Sequence, residues 1–266
     1  MHILVANDDG VHSDGLMALV SELAKIARVT VVAPDRERSA AGHSLTFYNP
    51  LRVQRIRDDQ QVRIYACDGT PTDCVLLGLY ELCLHDKPDL VVSGINRGAN
   101  LGDDITYSGT VSVAMEGLIH GYPSFAVSLA CQGIVAPHPL PTLHWHHAAE
   151  FARRLARLVV KHGLPPKTFL NVNVPNLSAS EVTGVEVTRQ GVTRYDQRLV
   201  KRQDPRGVEY YWITGAQPTG DPVPGTDFGA IHQHRISVTP MQINLTDQAS
   251  LESFHAWQFH EREATV

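Results

Sequence analysis

The sequence predicts an α/β protein: a mostly parallel sheet with helices on both faces. Two observations carry this. Through the first half of the chain, short apolar runs alternate with amphipathic stretches, the pattern of parallel strands joined by right-handed helical crossovers. Each run closes on a polar or glycine-containing turn, so the runs read as buried strands. At 266 residues the chain is long enough for one large domain of this kind or two small ones. The region at 182–226 has too little apolar periodicity to close its own core, so a single domain over residues 1–266 is expected.

The first strand is expected at 2–6 (His2-Ile3-Leu4-Val5-Ala6), and a helix at 14–26, where Leu16, Val20, Leu23 and Ala24 fall at helical spacing. Further strands are expected at 29–33, 62–66, 89–93 and 124–129. Further helices are expected at 72–84, with Val75, Leu79 and Leu82 on one side, and at 110–120. Residues 44–56 read as an extended insertion, and 133–144, with four Pro and Gly in twelve positions, as a loop. A helix at about 145–162 and a core strand at 168–174 follow. The character then changes. Residues 182–189 and 208–214 are β-rich, Asp204-Pro205-Arg206-Gly207 is a turn signal, and 215–226 is dense in Gly and Pro. The region at about 190–215 reads as a protruding β arm that packs on a neighbouring subunit. A segment at about 248–262, carrying Leu251, Phe254, Trp257 and Phe259, reads as a short helix docking on the same partner.

Composition narrows the function. A hydrophobic content of 43% with 19% charged residues is ordinary for a soluble globule. The net charge of −5, without a long basic run, argues against a surface built for nucleic-acid polymers. No apolar stretch approaches the ~20 residues needed to cross a bilayer. The start of the chain has no basic, cleavable leader, so a cytoplasmic location is expected. Cys67, Cys74, Cys83 and Cys131 show neither CxxC nor zinc spacing and read as reduced structural thiols. Gly10 and Gly15 do not make the GxGxxG dinucleotide fingerprint.

The chemistry is concentrated in Asn7-Asp8-Asp9-Gly10, directly after the first strand. Open α/β sheets bind ligands at the carboxyl ends of their strands. Adjacent side chains on a strand point apart, so Asp8 and Asp9 converge only if the backbone turns, and Gly10 permits the turn. Two carboxylates forced together repel unless a cation lies between them, and hard oxygen ligands suit Mg²⁺ or Mn²⁺. Taken alone, the pair reads as a polar loop with an Asp helix cap. Three later segments sit at comparable positions: Pro34-Asp35-Arg36-Glu37-Arg38-Ser39, Ser93-Gly94-Ile95-Asn96-Arg97-Gly98, and Tyr107-Ser108-Gly109-Thr110. The last opens a helix, whose free N–H groups and positive dipole end make a plausible phosphate cradle; Ser108 is equally a good N-cap.

Together with Gly69-Thr70-Pro71-Thr72-Asp73-Cys74, Asn100-Leu101-Gly102-Asp103-Asp104 and Ser237-Val238-Thr239-Pro240, these segments closely resemble SurE, the survival-protein family of metal-dependent nucleotidases, over residues 1 to about 247. The resemblance implies a Rossmann-like sheet and one divalent cation, Mg²⁺ or Mn²⁺, on Asp8, Asp9, Ser39 and Asn96. It implies catalysis by Asp8, Asp9 and Asn96, phosphate binding by Asn7, Ser108, Gly109 and Thr110, and a homodimer or homotetramer formed through the arm. Two carboxylates with hydroxyl and amide oxygens suit such an ion and leave positions open for water and phosphate.

The expected activity is hydrolysis of nucleoside 5′-monophosphates, with 3′-monophosphates also accepted. Attack on phosphorus would come from a metal-activated water, with a carboxylate such as Asp8 taking the proton. The rival, an aspartyl-phosphate mechanism, goes with Asp-x-Asp after the first strand, whereas this chain has Asp-Asp-Gly-Val. Two alternatives stand beside the nucleotidase: a broad-specificity phosphatase or exopolyphosphatase, and a non-catalytic Rossmann-like nucleotide-binding module. His144-Trp145-His146-His147 lacks an i, i+4 His pair and reads as helix-start histidines. His43 reads as a loop hydrogen-bonding residue with a lesser case for the substrate pocket. Asp103 and Asp104 read as solvated loop carboxylates or neighbours of Asn96.

Overall fold

The structure, a computed structural model, describes residues 1–131, 142–215 and 219–257. Most of the expected 133–144 loop, part of the 215–226 segment and residues 258–262 of the expected docking segment lie outside the described residues.

Six strands form a parallel core: β1 (His2–Ala6), β2 (Arg28–Pro34), then β4 (Val62–Cys67), β5 (Leu90–Arg97), β6 (Ser124–Ala130) and β7 (Phe169–Pro175). The missing number, β3 (Val53–Asp58), adds antiparallel to β4 at one edge. The nine-stranded sheet runs β3-β4-β2-β1-β5-β6-β7, then two strands from late in the chain, β13 (Arg235–Met241) and β8 (Gly184–Val187). β13 is antiparallel to β7 and parallel to β8. The core order β4-β2-β1-β5-β6-β7 reverses direction of progress between β1 and β5. That makes the carboxyl ends of β1 and β5 the topological switch point, where open α/β sheets leave a crevice.

Strand residues alternate between two helical layers. On one face Ile3, Val5, Val31, Val92, Phe125 and Val172 pack with α1 (Asp14–Leu23) and α4 (Trp145–His162). On the other, Leu4, Ala6, Val32 and Val91 meet α2 (Pro71–Leu77) and α3 (Gly109–Ile119), the intermediate positions in the chain. A core strand buried on both faces needs the continuous apolar runs seen in the sequence.

The expected elements at 2–6, 29–33, 62–66, 89–93, 124–129, 110–120, 145–162 and 168–174 are present within a few residues. Others differ. The helix expected to reach residue 26 stops at Leu23, and Ala27 N–H bonds back to Leu23 O at 3.1 Å so that the chain can enter β2 at Arg28. The helix expected at 72–84 is α2 plus a single π-helical turn, Gly78–Leu82, closed by Cys83 N–H to Gly78 O at 2.8 Å. Only the end of the expected 44–56 insertion is strand. Residues 208–214 fall within the expected arm at about 190–215. They belong to a separate antiparallel hairpin of β10 (Gln197–Gln203) and β11 (Glu209–Gly215), whose Asp204–Gly207 turn is where the sequence placed it. The hairpin's root is clasped by two short strands, β9 (Thr193–Arg194) and β12 (Thr219–Gly220). A helix α5 (Asp227–His232) and a short α6 (Leu251–His255) complete the described chain.

Candidate functional site

The turn after β1 positions the aspartates. Gly10 has φ +97°, and a Cβ there would sit 3.1 Å from the Arg36 carbonyl carbon, so the sharp, close turn requires glycine. Asn7 is fully buried beneath it. Its Nδ2 donates to Gly10 O (3.0 Å) and Ser13 Oγ (2.8 Å), while its Oδ1 has no partner among the described residues. The main chain after β2 is tied to the same turn: Arg38 N–H donates to Asp8 O at 2.7 Å, and Val11 N–H to Pro34 O at 2.8 Å.

The two aspartates are tied to different elements. Asp8, 4% exposed, points toward α3. Its Oδ1 accepts from the Thr110 hydroxyl, and a Cβ on Gly109 would lie 2.8 Å from Asp8 Cβ and 3.0 Å from Asp8 Oδ2. Asp9 meets the end of β5, where Arg97 N–H donates to Oδ2 at 3.0 Å. Burial pushes the Asp8 carboxyl up against the opposing hydrogen bonds from Thr110. Burial and the neighbouring Asp8 charge push Asp9 up to about 7. No ion pair to either carboxylate occurs among the described residues. Also among them, no three His, Cys, Asp or Glu side chains cluster to hold an ion. A cation at the pair would therefore draw its other donors from neutral oxygens.

Asn96 and Ser39 are the neutral donors suggested by sequence. The β5–β6 register shifts between Ser93 and Asn96, and such an irregularity re-aims a strand's side chains. Asn96 Nδ2 donates to Gly98 O at 3.0 Å, and its neighbour Arg97 binds Asp9. Ser39 is exposed, one residue beyond the Arg38–Asp8 contact. Its hydroxyl donates to Glu37 Oε1 at 2.8 Å. Glu37 is a residue the sequence reading missed as a contributor. Its charge acts on both Asp8 and Asp9 and adds to the pressure for a cation.

The expected phosphate residues divide. Ser108 is a cap, its Oγ accepting from Val111 N–H at 3.0 Å. Thr110 spends its hydroxyl on Asp8. Gly109 remains as the place of closest backbone approach, with Pro71 of α2 also against it, 3.1 Å from the same notional Cβ. Asn7 shapes the turn from below. Asp103 and Asp104 hold the root of the arm: Thr193 N–H donates to Asp103 Oδ2 at 2.9 Å, and Tyr195 OH to Asp104 Oδ1 at 3.0 Å. His144, His146 and His147 stand at the start of α4, away from this turn, as expected.

His43 is a loop hydrogen-bonding residue, as the sequence suggests. Its Nε2 pairs with Glu116 Oε2 at 2.7 Å, Glu116 Oε1 pairs with His120 Nε2 at 2.9 Å, and His120 Nδ1 with Tyr80 OH at 2.6 Å. Burial pushes the Glu116 carboxyl up, but the two histidines outweigh it and hold the group below its ordinary range. The sequence signal was the i, i+4 spacing of Glu116 and His120 on one helix; the long-range partner, His43, leaves no local trace.

Fold and site define a class: a doubly wound α/β protein with a buried carboxylate pair at the switch point of its sheet. Comparison with known proteins narrows it. The sequence profile described as Survival protein SurE matches residues 3–197, and the chain belongs to the SurE family. It is 53% identical over 257 residues to a protein named 5′-nucleotidase SurE from Geobacter sulfurreducens, covering 97% of this chain and 94% of that one. It is 47% identical to one of the same name from Moorella thermoacetica, covering 97% and 96%. The crystal structure of the SurE protein from Aquifex aeolicus superposes with a TM-score of 0.79 at 43% identity, over 95% of this chain and 98% of that chain.

Proposed function

We propose that this protein is a metal-dependent 5′-nucleotidase that hydrolyses nucleoside monophosphates to nucleoside and phosphate. The names of its relatives support the reaction. One observation carries it at the level of atoms: Asp8 and Asp9 are held side by side, largely out of water, with raised pKa values and no ion-pair partner among the described residues. A binding module has little use for two carboxylates that repel its anionic ligand. Held beside a divalent cation, they become a receptor for phosphate.

The donor set fits Mg²⁺ or Mn²⁺, with Asp8 and Asp9 as anionic ligands and the Asn96 amide and Ser39 hydroxyl as neutral ones. The Ser39 hydroxyl would ligate through its oxygen lone pairs, which its donation to Glu37 leaves free. When bound, the cation polarises the phosphoryl group and lowers the pKa of the attacking water. The chain's own residues do the rest. Thr110 fixes Asp8 by its hydroxyl, and Arg97 N–H fixes Asp9, leaving Asp9 Oδ1 unclaimed among the described residues. Gly109, lacking a side chain, lets the first turn of α3 approach the phosphate, where a helix leaves N–H groups without intrahelical partners. Asn7 holds the turn that aims the pair. Asp8 is the assigned proton acceptor for the attacking water.

A clamp on phosphate alone tolerates varied leaving groups, so 3′-monophosphates are expected as substrates too. The cysteines are free thiols, which suits the proposed cytoplasmic location. No described helix is long and apolar enough to cross a membrane. The test is phosphate release from a panel of nucleotides by chelated enzyme, then with Mg²⁺ or Mn²⁺ restored. Full activity after exhaustive chelation would sink the metal-dependent reading, and preference for polyphosphate over nucleotides would favour the exopolyphosphatase.

A further inference from the structure

The loop after Ser39 is anchored at three points around the site. Gly42 N–H donates to Tyr107 O at 3.0 Å, directly before the first turn of α3. His43 is clamped to Glu116, a residue 4% exposed two turns further along the same helix. Thr46 N–H and hydroxyl both donate to the Asp73 carboxylate, at 3.0 and 2.6 Å, and Thr70 donates to Ser44 O at 2.8 Å. Asp73 and Thr70 form the capping box of α2, and Pro71 of that helix faces Gly109, which faces Asp8. The segment 42–46 is thus a fixed strap across the start of α2 and the first two turns of α3, the two helices that meet beside Asp8 at Gly109.

What the strap presents is unexpected for a fixed segment. Phe47 and Tyr48 are 81% and 98% exposed. Exposed aromatic rings at the end of a rigid strap are poor candidates for idle surface, whereas a purine or pyrimidine stacks on such faces whatever its edge groups. The phosphate clamp offers nothing to the nucleoside half of the substrate.

We propose that the strap 42–48 is the nucleoside-recognition wall of this site, with Phe47 and Tyr48 as stacking faces for the base and Glu116 as the positioning residue that holds them through His43. This rests on the nucleotidase reading and supplies its leaving-group subsite.

The test compares AMP with ribose 5-phosphate, the same phosphomonoester without a base, using full-length protein with Mn²⁺. Phe47→Ala with Tyr48→Ala should lower the ratio of kcat/KM for AMP over ribose 5-phosphate by about tenfold, mainly through KM for AMP. Glu116→Gln should shift the ratio the same way by a smaller factor, and His43→Gln, able to hydrogen bond to Glu116, should restore more of it than His43→Ala. Calorimetric binding of AMP and ribose 5-phosphate is measured alongside and does not need turnover. Wild-type protein that hydrolyses neither compound yet binds AMP more tightly, dependent on Phe47 and Tyr48, would overturn the enzyme reading and leave the wall standing. Equal losses for both compounds, no change for either, or a changed sedimentation coefficient with an unchanged ratio would overturn the wall; the last result would assign the rings to a subunit contact.

Discussion

At the scale of single residues, the carboxylate pair makes opposite demands with and without a cation. An Asp9 carboxyl whose ordinary value is 3.8 titrates near 7 in the folded chain. Between those values the folded, cation-free protein keeps a proton that the unfolded chain has lost, so this group's contribution to stability falls as pH rises through the window and is fully unfavourable above it. Calorimetry on chelated protein should show a larger drop in Tm from pH 5 to pH 8 for wild type than for Asp9→Asn, and a larger Mn²⁺-induced rise at pH 8 than at pH 5. Equal drops for the two proteins would remove the strain from the account. Asp8→Asn and Asp9→Asn should each cut turnover on the order of a hundredfold or more, without lowering the Tm of the chelated protein. Gly109→Val gives a sharper outcome than the sequence suggests. From the motif it would block phosphate and spare the cation; with Asp8 Cβ 2.8 Å from the added carbon, it must also displace a ligand. Turnover and Mn²⁺ affinity should fall together, turnover on the order of a hundredfold, and calorimetric Mn²⁺ affinity equal to wild type would contradict that. The pair itself was legible because a carboxylate doublet between a strand and a glycine is a local signal. Glu37, the Thr110–Asp8 bond and the His43–Glu116 clamp were not, because each depends on side-chain direction across distant segments.

At the scale of elements, the parallel core was readable because strands buried on both faces must be continuously apolar. The late elements were not. β13 carries polar Ser237 and Thr239, both buried, and Pro240, which cannot donate to a ladder. It is held by pairing with β7 on one side, while β8 covers only Arg235–Val238 on the other. Its hydroxyls are satisfied by Thr188, at 2.8 Å from Ser237 Oγ and 2.7 Å from Thr239 Oγ1. A strand that hides hydroxyls gives no alternation to read. Helix packing shows the same limit. Glu22 on α1, 3% exposed, is held by Arg153 of α4 at 2.8 Å and by Lys25. Burial pushes its carboxyl up, but these partners win and hold it below the ordinary range. Arg153→Met would leave a buried charge with one partner fewer and should cost about 1–3 kcal/mol. The Tm should fall by several degrees in a thermal melt at neutral pH, and a melt indistinguishable from wild type would show that the α1–α4 contact does not depend on this pair.

At the scale of the whole molecule, the hairpin β10–β11 sets the question of assembly. It forms its own two-stranded sheet, and an isolated hairpin is marginal in water. Yet Leu199, Val208, Tyr211, Trp212 and Ile213 all lie exposed on it, more apolar surface than a free hairpin should show. We propose that these side chains are covered by a second copy of the chain, giving a dimer or a dimer of dimers in which arms are exchanged. The root of the arm is fixed on its own subunit: β9 pairs with β12, Thr193 bonds Asp103, and Tyr195 bonds Asp104; burial, together with that bond, pushes the tyrosine pKa up to about 12. That placement decides where to cut. Excision from Arg194 to Ile213, the choice the sequence suggests, would remove half of the clasp that holds the root. Excision of residues 197–215 leaves β9 and β12 paired, so their ends, already side by side, can be joined by a short turn. The shortened protein should sediment as a smaller species than the full-length chain at micromolar concentration and still bind Mn²⁺ at Asp8 and Asp9. A full-length chain that sediments as a monomer at that concentration would refute the exchanged arm, and a shortened chain of undiminished size would place the contact elsewhere, with the exposed Phe254 and Trp257 of the C-terminal segment next in line.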